Sequence, residues 1–380
     1  MANIIDYVKW RGDLPFTVSP IGELDAALFS HIAYWNMDGI VSENIGETMT
    51  LKELCETSVL DELPPYCMRE DLELKELLKT SERFADVQVS KYVNEVDPEK
   101  ETQFSAVTFG IGRRLHLIAF RGTDDTLAGW KESLSLSYDE EVEAQRMAVR
   151  YLEEVAQKTH GELCVAGHSK GGNLAVYASA FSGRKPDERI ISIYNFDGPG
   201  FNEKVVQKEE FRSILYRVHT FVPQDSLVGM LLIHREPYRV VNSTASNGIT
   251  QHDLYTWECN AKQFIYADKL TSSGENMYET IKEWMDAMSF EEKRQFVEVL
   301  YDLVDEYHTV GKLFTFRSLY KVMQEYRGLD GEKKKVVAEA VGALKRSVIG
   351  EVKDTYQEVR DKVAEKVTEK VTDKLPWKSK

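Results

Sequence analysis

Cysteine is scarce in this chain: four residues in 380, at Cys55, Cys67, Cys164 and Cys259. They are scattered, so neither a disulfide framework nor the close spacing of a thiolate metal site is on offer. Long apolar runs are missing as well. None approaches the roughly 20 residues that a membrane-spanning helix needs, and the start, Met-Ala-Asn-Ile-Ile-Asp-Tyr, lacks the basic-then-apolar pattern of a secretory signal. A cytoplasmic location is the expectation. Basic charge is short too, with 48 Lys+Arg against 63 Asp+Glu and a net charge of −15. No nucleic acid is expected as main partner, because phosphate neutralisation needs a basic surface. Histidine is sparse, at eight residues, which shortens any search for a catalytic base.

What the chain has is enough apolar material, 42% of residues, for a sizeable core in one large domain or one domain plus an appendage. Its organising stretch is Cys164-Val165-Ala166-Gly167-His168-Ser169-Lys170-Gly171-Gly172-Asn173-Leu174-Ala175. An apolar strand-like run meets G-x-S-x-G, and a small-residue helical pattern follows. That is where a nucleophile elbow belongs, with the serine on a strained turn and the helix N-terminus aiming N–H groups at a developing oxyanion. The plain alternative is a strand-to-helix turn whose serine caps the helix.

Around this stretch, helical spacing begins at Leu24, and acidic, leucine-rich helical patterns run from Met49 to Leu60 and Leu72 to Phe84, broken at Pro64-Pro65. Those two patterns read as surface helices rather than a cap. Strands are predicted at 103–110 and 115–120 as a hairpin, then at 163–166, 190–196 and 215–221, with a long helix over 139–158. Strands alternating with helices predict βαβ units and a mostly parallel sheet, whose chemistry sits at the strands' carboxyl ends. Four such ends carry polar residues: Arg121-Gly122-Thr123, Gly167-His168-Ser169, Asp197-Gly198-Pro199 and Pro223-Gln224-Asp225.

The pattern therefore predicts an α/β domain over 1–270, a helical C-terminal region over 271–345 and a charged tail over 346–380. Amphipathic stretches at 277–288, 290–306, 314–326 and 333–344 support the helical reading. The end repeats Val363-Ala-Glu-Lys, Val367-Thr-Glu-Lys, Val371-Thr-Asp-Lys. A four-residue repeat drifts about 40° per step around an α-helix, so its valines form no flat face. A solvated helix is the favoured reading of the tail, with weak membrane-surface or protein contact as the alternative.

A serine nucleophile needs a base, and the base an orienting acid. In the Ser, then Asp or Glu, then His order, four histidines lie downstream. His219 falls in a predicted strand and His308 in the helical region, which leaves His234 and His252. His252 is preferred, since it sits in a polar loop, Ser246-Asn247-Gly248-Ile249-Thr250-Gln251-His252, ahead of an apolar stretch. Asp197 and Asp225 both end strands. Asp225 is the preferred acid, because it comes one strand later and closer in sequence to His252, while Asp197 is expected to shape the site wall. For the oxyanion hole, the N–H of Lys170 and a donor from Thr123 fit the topology.

Ile118-Ala119-Phe120-Arg121-Gly122-Thr123, then Trp130, then Gly167-His168-Ser169-x-Gly171-Gly172, resembles the class 3 lipases among the α/β-hydrolases. From Asn3-Ile4-Ile5-Asp6-Tyr7 through Phe221-Val222-Pro223-Gln224-Asp225-Ser226 to Gly248-x3-His252-Asp253, the chain is similar to a bacterial branch, the Mbeg1-like family. The resemblance implies an α/β-hydrolase fold, a Ser169–Asp225–His252 triad, and Thr123 with Lys170 as oxyanion donors. It implies a serine acyl hydrolase acting on a small-molecule ester or lipid, with no metal and no cofactor. A non-catalytic hydrolase-fold scaffold is the alternative. Two departures from class 3 lipases stand out: a lysine where a neutral residue usually follows the serine, and a short interval between Asp225 and His252.

Overall fold

The computed structural model describes residues 1–60, 70–97, 102–123, 132–133, 135–246, 248, 250–286, 288–304 and 331. Among these, the strands β1 (Met49–Thr50), β2 (Gln88–Asp97), β3 (Thr102–Ile111), β4 (Leu115–Phe120), β5 (Glu162–His168), β6 (Ile190–Phe196), β7 (Val218–Pro223), β8 (Tyr238–Val241) and β9 (Tyr266–Ala267) form one sheet in sequence order. β1 to β4 pair antiparallel, β4 to β8 pair parallel, and β9 closes the far edge antiparallel. The fold is α/β, with the parallel block at its centre.

The topology dictates where the helices go. Each parallel connection advances one strand in the same direction, and right-handed crossovers then place every connecting helix on one face. Helix α5 (Glu143–Lys158) joins β4 to β5 and α6 (Lys170–Phe181) joins β5 to β6. Both pack in one apolar cluster with Ile118, Phe120, Leu163, Val165 and Ile193. The opposite face would be bare, and the N-terminal helices α1 (Ile4–Arg11), α2 (Glu23–Ile32), α3 (Leu51–Glu56) and α4 (Glu70–Thr80) cover it. Their Leu24, Phe29, Leu54 and Leu74 meet Leu117, Ala119, Cys164 and Ala166 there. Alternate residues of β4 and β5 thus feed two cores, as the two-residue strand period requires.

Several sequence expectations shift. Met49 and Thr50 pair with β2, so α3 begins at Leu51. Helices α3 and α4 bury apolar side chains against the sheet and are core elements. The 215–221 run opens as a 3₁₀ turn at Leu215–Arg217, and its strand spans Val218–Pro223. Helices α7 (Ser272–Asp286) and α8 (Phe290–Val304) occupy the first two of the C-terminal helical stretches. The stretches at 314–326 and 333–344, and the repeat tail, lie outside the described residues. No helix among the described residues is long and apolar enough to cross a membrane.

Candidate active site

Ser169 stands between the end of β5 and the first residue of α6, at φ 58° and ψ −135°. L-residues rarely adopt this left-handed backbone, and surrounding packing must hold it. The glycines on either side supply that packing. A Cβ on Gly167 would lie 2.0 Å from the Gly171 carbonyl oxygen, and one on Gly171 2.0 Å from that of Phe120. Strand and helix close onto each other only because both positions lack side chains. The Ser169 N–H donates to the Phe196 carbonyl at 2.9 Å, tying the elbow to β6.

His252 ends a 3₁₀ turn, Thr250–His252. Its ring lies on that of His168, the residue before the serine, with centroids 4.5 Å apart. Its Nδ1 is 2.6 Å from Asp197 Oδ2. A carboxylate accepts, so Nδ1 carries the proton and Nε2 is left with its lone pair. The Asp197 side chain is fully buried, while that of His252 is 23% exposed. The other carboxylate oxygen accepts from Ser226 Oγ at 2.5 Å and from the Gly229 N–H at 3.1 Å. A buried carboxylate is retained when its lone pairs are filled in this way.

The carboxylate that meets His252 is that of Asp197, where the sequence pointed to Asp225. Asp225 does not face His252. Its carboxylate accepts from Gln251 Nε2 at 2.8 Å and from Thr271 Oγ1, and its N–H donates to Gln251 Oε1 at 2.8 Å. The physical reason lies in the loop after β7, which folds back so that Ser226 and Gly229 wrap Asp197, leaving Asp225 on the far side to brace the histidine loop through Gln251. Asp197 follows the end of β6, the strand paired with β5 in continuous register from Cys164 to His168. Its own φ is +50°, a turn that aims the carboxylate across the elbow's edge of the sheet. His234, the other candidate base, pairs with the buried Glu236 at 2.9 Å. His219 lies on β7, its ring stacked on Tyr194 at 5.2 Å. His308 is outside the described residues.

Thr123 follows β4, and its Oγ1 lies 2.6 Å from Ser133 Oγ. The loop that carries it touches the nucleophile: a Cβ on Gly122 would be 2.8 Å from Ser169 Cβ and 2.7 Å from the His168 carbonyl oxygen. Lys170 begins α6, where N–H groups have no intrahelical partner. Its side chain turns inward and is 1% exposed, with Nζ at 2.6 Å from the Gln103 carbonyl, 2.9 Å from Gln103 Oε1 and 2.8 Å from Glu132 Oε2. The residue that departs from the class 3 lipase pattern therefore contributes its charge to the core.

Sequence reasoning missed the support behind His252. His168 Nε2 donates to the His252 carbonyl at 2.7 Å, and Tyr34 Oη donates to His168 Nδ1 at 3.0 Å. Burial pushes the His168 pKa well below the usual imidazole range, so the ring stays neutral, as one donor and one acceptor nitrogen require. Tyr255, three residues beyond His252, donates to Asp71 at 3.0 Å, which also accepts from Trp35 Nε1 at 2.7 Å. The N-terminal helices thus anchor the histidine loop through contacts between residues more than 130 positions apart, which no local pattern announces. Tyr34→Phe would leave His168 Nδ1 buried without this donor. It is expected to lower stability by about 1–3 kcal/mol, read from urea denaturation of the full chain.

Among the described residues, no group of three or more His, Cys, Asp or Glu is placed to hold a metal ion. In comparisons, an M37 lipase crystal structure matches at 17% identity with a TM-score of 0.35, covering 56% of this chain and 70% of that one. No curated protein matches. The Mbeg1-like family model matches residues 78–302, more than half of the chain, and the chain belongs to the Mbeg1-like family.

Proposed function

We propose that this chain is a serine acyl hydrolase that cleaves carboxylic esters through Ser169, His252 and Asp197. The observation that carries the reading is the buried Asp197 bound to His252 Nδ1, with the imidazole lying on the residue next to a serine held at positive φ. In this reading His252 Nε2 takes the Ser169 hydroxyl proton as Oγ attacks the ester carbonyl. The N–H groups of Thr123 and Lys170 receive the oxyanion. Collapse of the tetrahedral intermediate breaks the ester bond, and His252 returns the proton to the departing alcohol. A water molecule, deprotonated by the same imidazole, then releases the acid from the acyl-enzyme. Asp197 holds the tautomer and stabilises the imidazolium.

Fluorophosphonate labelling tests this directly. The folded protein should gain one phosphonyl group on the peptide containing Ser169, and the Ser169→Ala protein none. Failure of the folded wild type to label would overturn the reading. Hydrolysis of p-nitrophenyl esters of graded chain length then separates an esterase from a lipase.

A further inference from the structure

We propose that the Lys170 side chain is a positioning group for the oxyanion hole, locking the Thr123 peptide against the elbow. This rests on the ester-hydrolase reading and adds a residue role to it. The starting point is a buried ammonium paired with a buried carboxylate, Lys170 Nζ to Glu132 Oε2 at 2.8 Å, with side chains 1% and 3% exposed. Removing both charges from water is costly. A buried ion pair often stabilises no more than apolar residues of equal volume, so stability alone is a weak account of it. What the pair provides is a set of fixed directions.

Those directions lead to the Thr123 peptide by two routes. Lys170 Nζ donates to Gln103 Oε1, which orients the Gln103 amide so that Nε2 faces, and donates to, the Gly122 carbonyl at 3.5 Å. The chain contains no cis peptide bonds among its described residues. In a trans peptide C=O and N–H point in opposite directions. With the Gly122 carbonyl held toward Gln103, the Thr123 N–H points away from Gln103. The second route runs through Glu132. Its Oε2 also accepts the Gln103 N–H at 3.2 Å and its Oε1 the Ala144 N–H at 3.0 Å, which fixes the neighbouring Ser133 whose Oγ meets Thr123 Oγ1. The backbone of Lys170 supplies one oxyanion donor, and its side chain governs the other. A residue after the serine whose side chain has no donor cannot make this link.

Because Lys170→Met alone strands a buried carboxylate, the test uses Lys170→Met/Glu132→Leu, with Gln103→Met as a second variant that keeps the ion pair and removes the amide bridge. The discriminating readout is the rate ratio between a p-nitrophenyl ester and its thiono counterpart, whose developing sulfur anion uses oxyanion donors poorly. In both variants kcat is expected to fall about 10- to 100-fold with KM within about threefold, and the oxygen-to-sulfur ratio to fall about tenfold. A merely structural role would change Tm and leave that ratio alone. A folded variant of either kind that keeps the wild-type ratio and kcat overturns the proposal. If wild-type protein itself neither reacts with fluorophosphonate nor hydrolyses esters, the hydrolase reading fails and this role fails with it. Reactive wild type with unaltered variants sinks only the role of Lys170.

Discussion

Ser169→Ala is expected to lower kcat for p-nitrophenyl ester hydrolysis by about 10⁶-fold, the scale seen when a triad nucleophile is removed, while Tm stays close to that of the wild type. The serine is held at φ 58° by its surroundings, with Gly122, Gly167 and Gly171 all in close backbone approach around it. Alanine inherits the same strained backbone, so stability has no reason to change. Ser169→Gly separates strain from chemistry. Glycine adopts this region freely, so that variant should be inactive and more stable by about 1 kcal/mol. The check is thermal unfolding of the three proteins beside their ester kinetics. A Ser169→Ala protein hydrolysing at a wild-type rate would remove the serine from the mechanism.

What could be read from the chain follows from how local each signal is. Strands β4 to β6 are short apolar runs bounded by turns, and the elbow's glycines answer to sterics within a few residues, so the parallel block and Ser169 were legible. Strand β2 was not. Its Gln88-Val-Ser-Lys-Tyr-Val-Asn-Glu-Val-Asp97 sequence is polar, and its identity comes from pairing with β3 across a register shift. Strands β8 and β9 are four and two residues long and exist as partners of the sheet edge. His252 stood out because few histidines lie downstream of the serine. Tyr34, Gln103 and Glu132 were invisible, since each acts on a residue far away in sequence. Which aspartate meets His252 is decided by the return path of the loop after β7, and sequence separation says nothing of that path.

The choice between the two aspartates has a large and separable outcome. Asp197→Asn is expected to lower kcat by about 10⁴-fold, whereas Asp225→Asn should stay within about tenfold of the wild type. In the first variant the amide presents N–H₂ or a neutral oxygen to His252 Nδ1. The imidazole then favours the tautomer with its proton on Nε2, the atom that must accept from Ser169. Ser226 Oγ and the Gly229 N–H also lose a charged partner, so a stability loss accompanies the kinetic one. In Asp225→Asn, the oxygen that remains can still accept from Thr271 or Gln251, and the loop bearing His252 keeps further anchors, among them the His168 bond to its carbonyl and the Tyr255 bond to Asp71. The loss there is one charge-assisted bond, about 1.5–3 kcal/mol of stability and little of kcat. Measuring kcat and urea midpoints for both variants settles the assignment: equal kinetic losses, or the larger one at Asp225, would return the acid's role to the loop after β7.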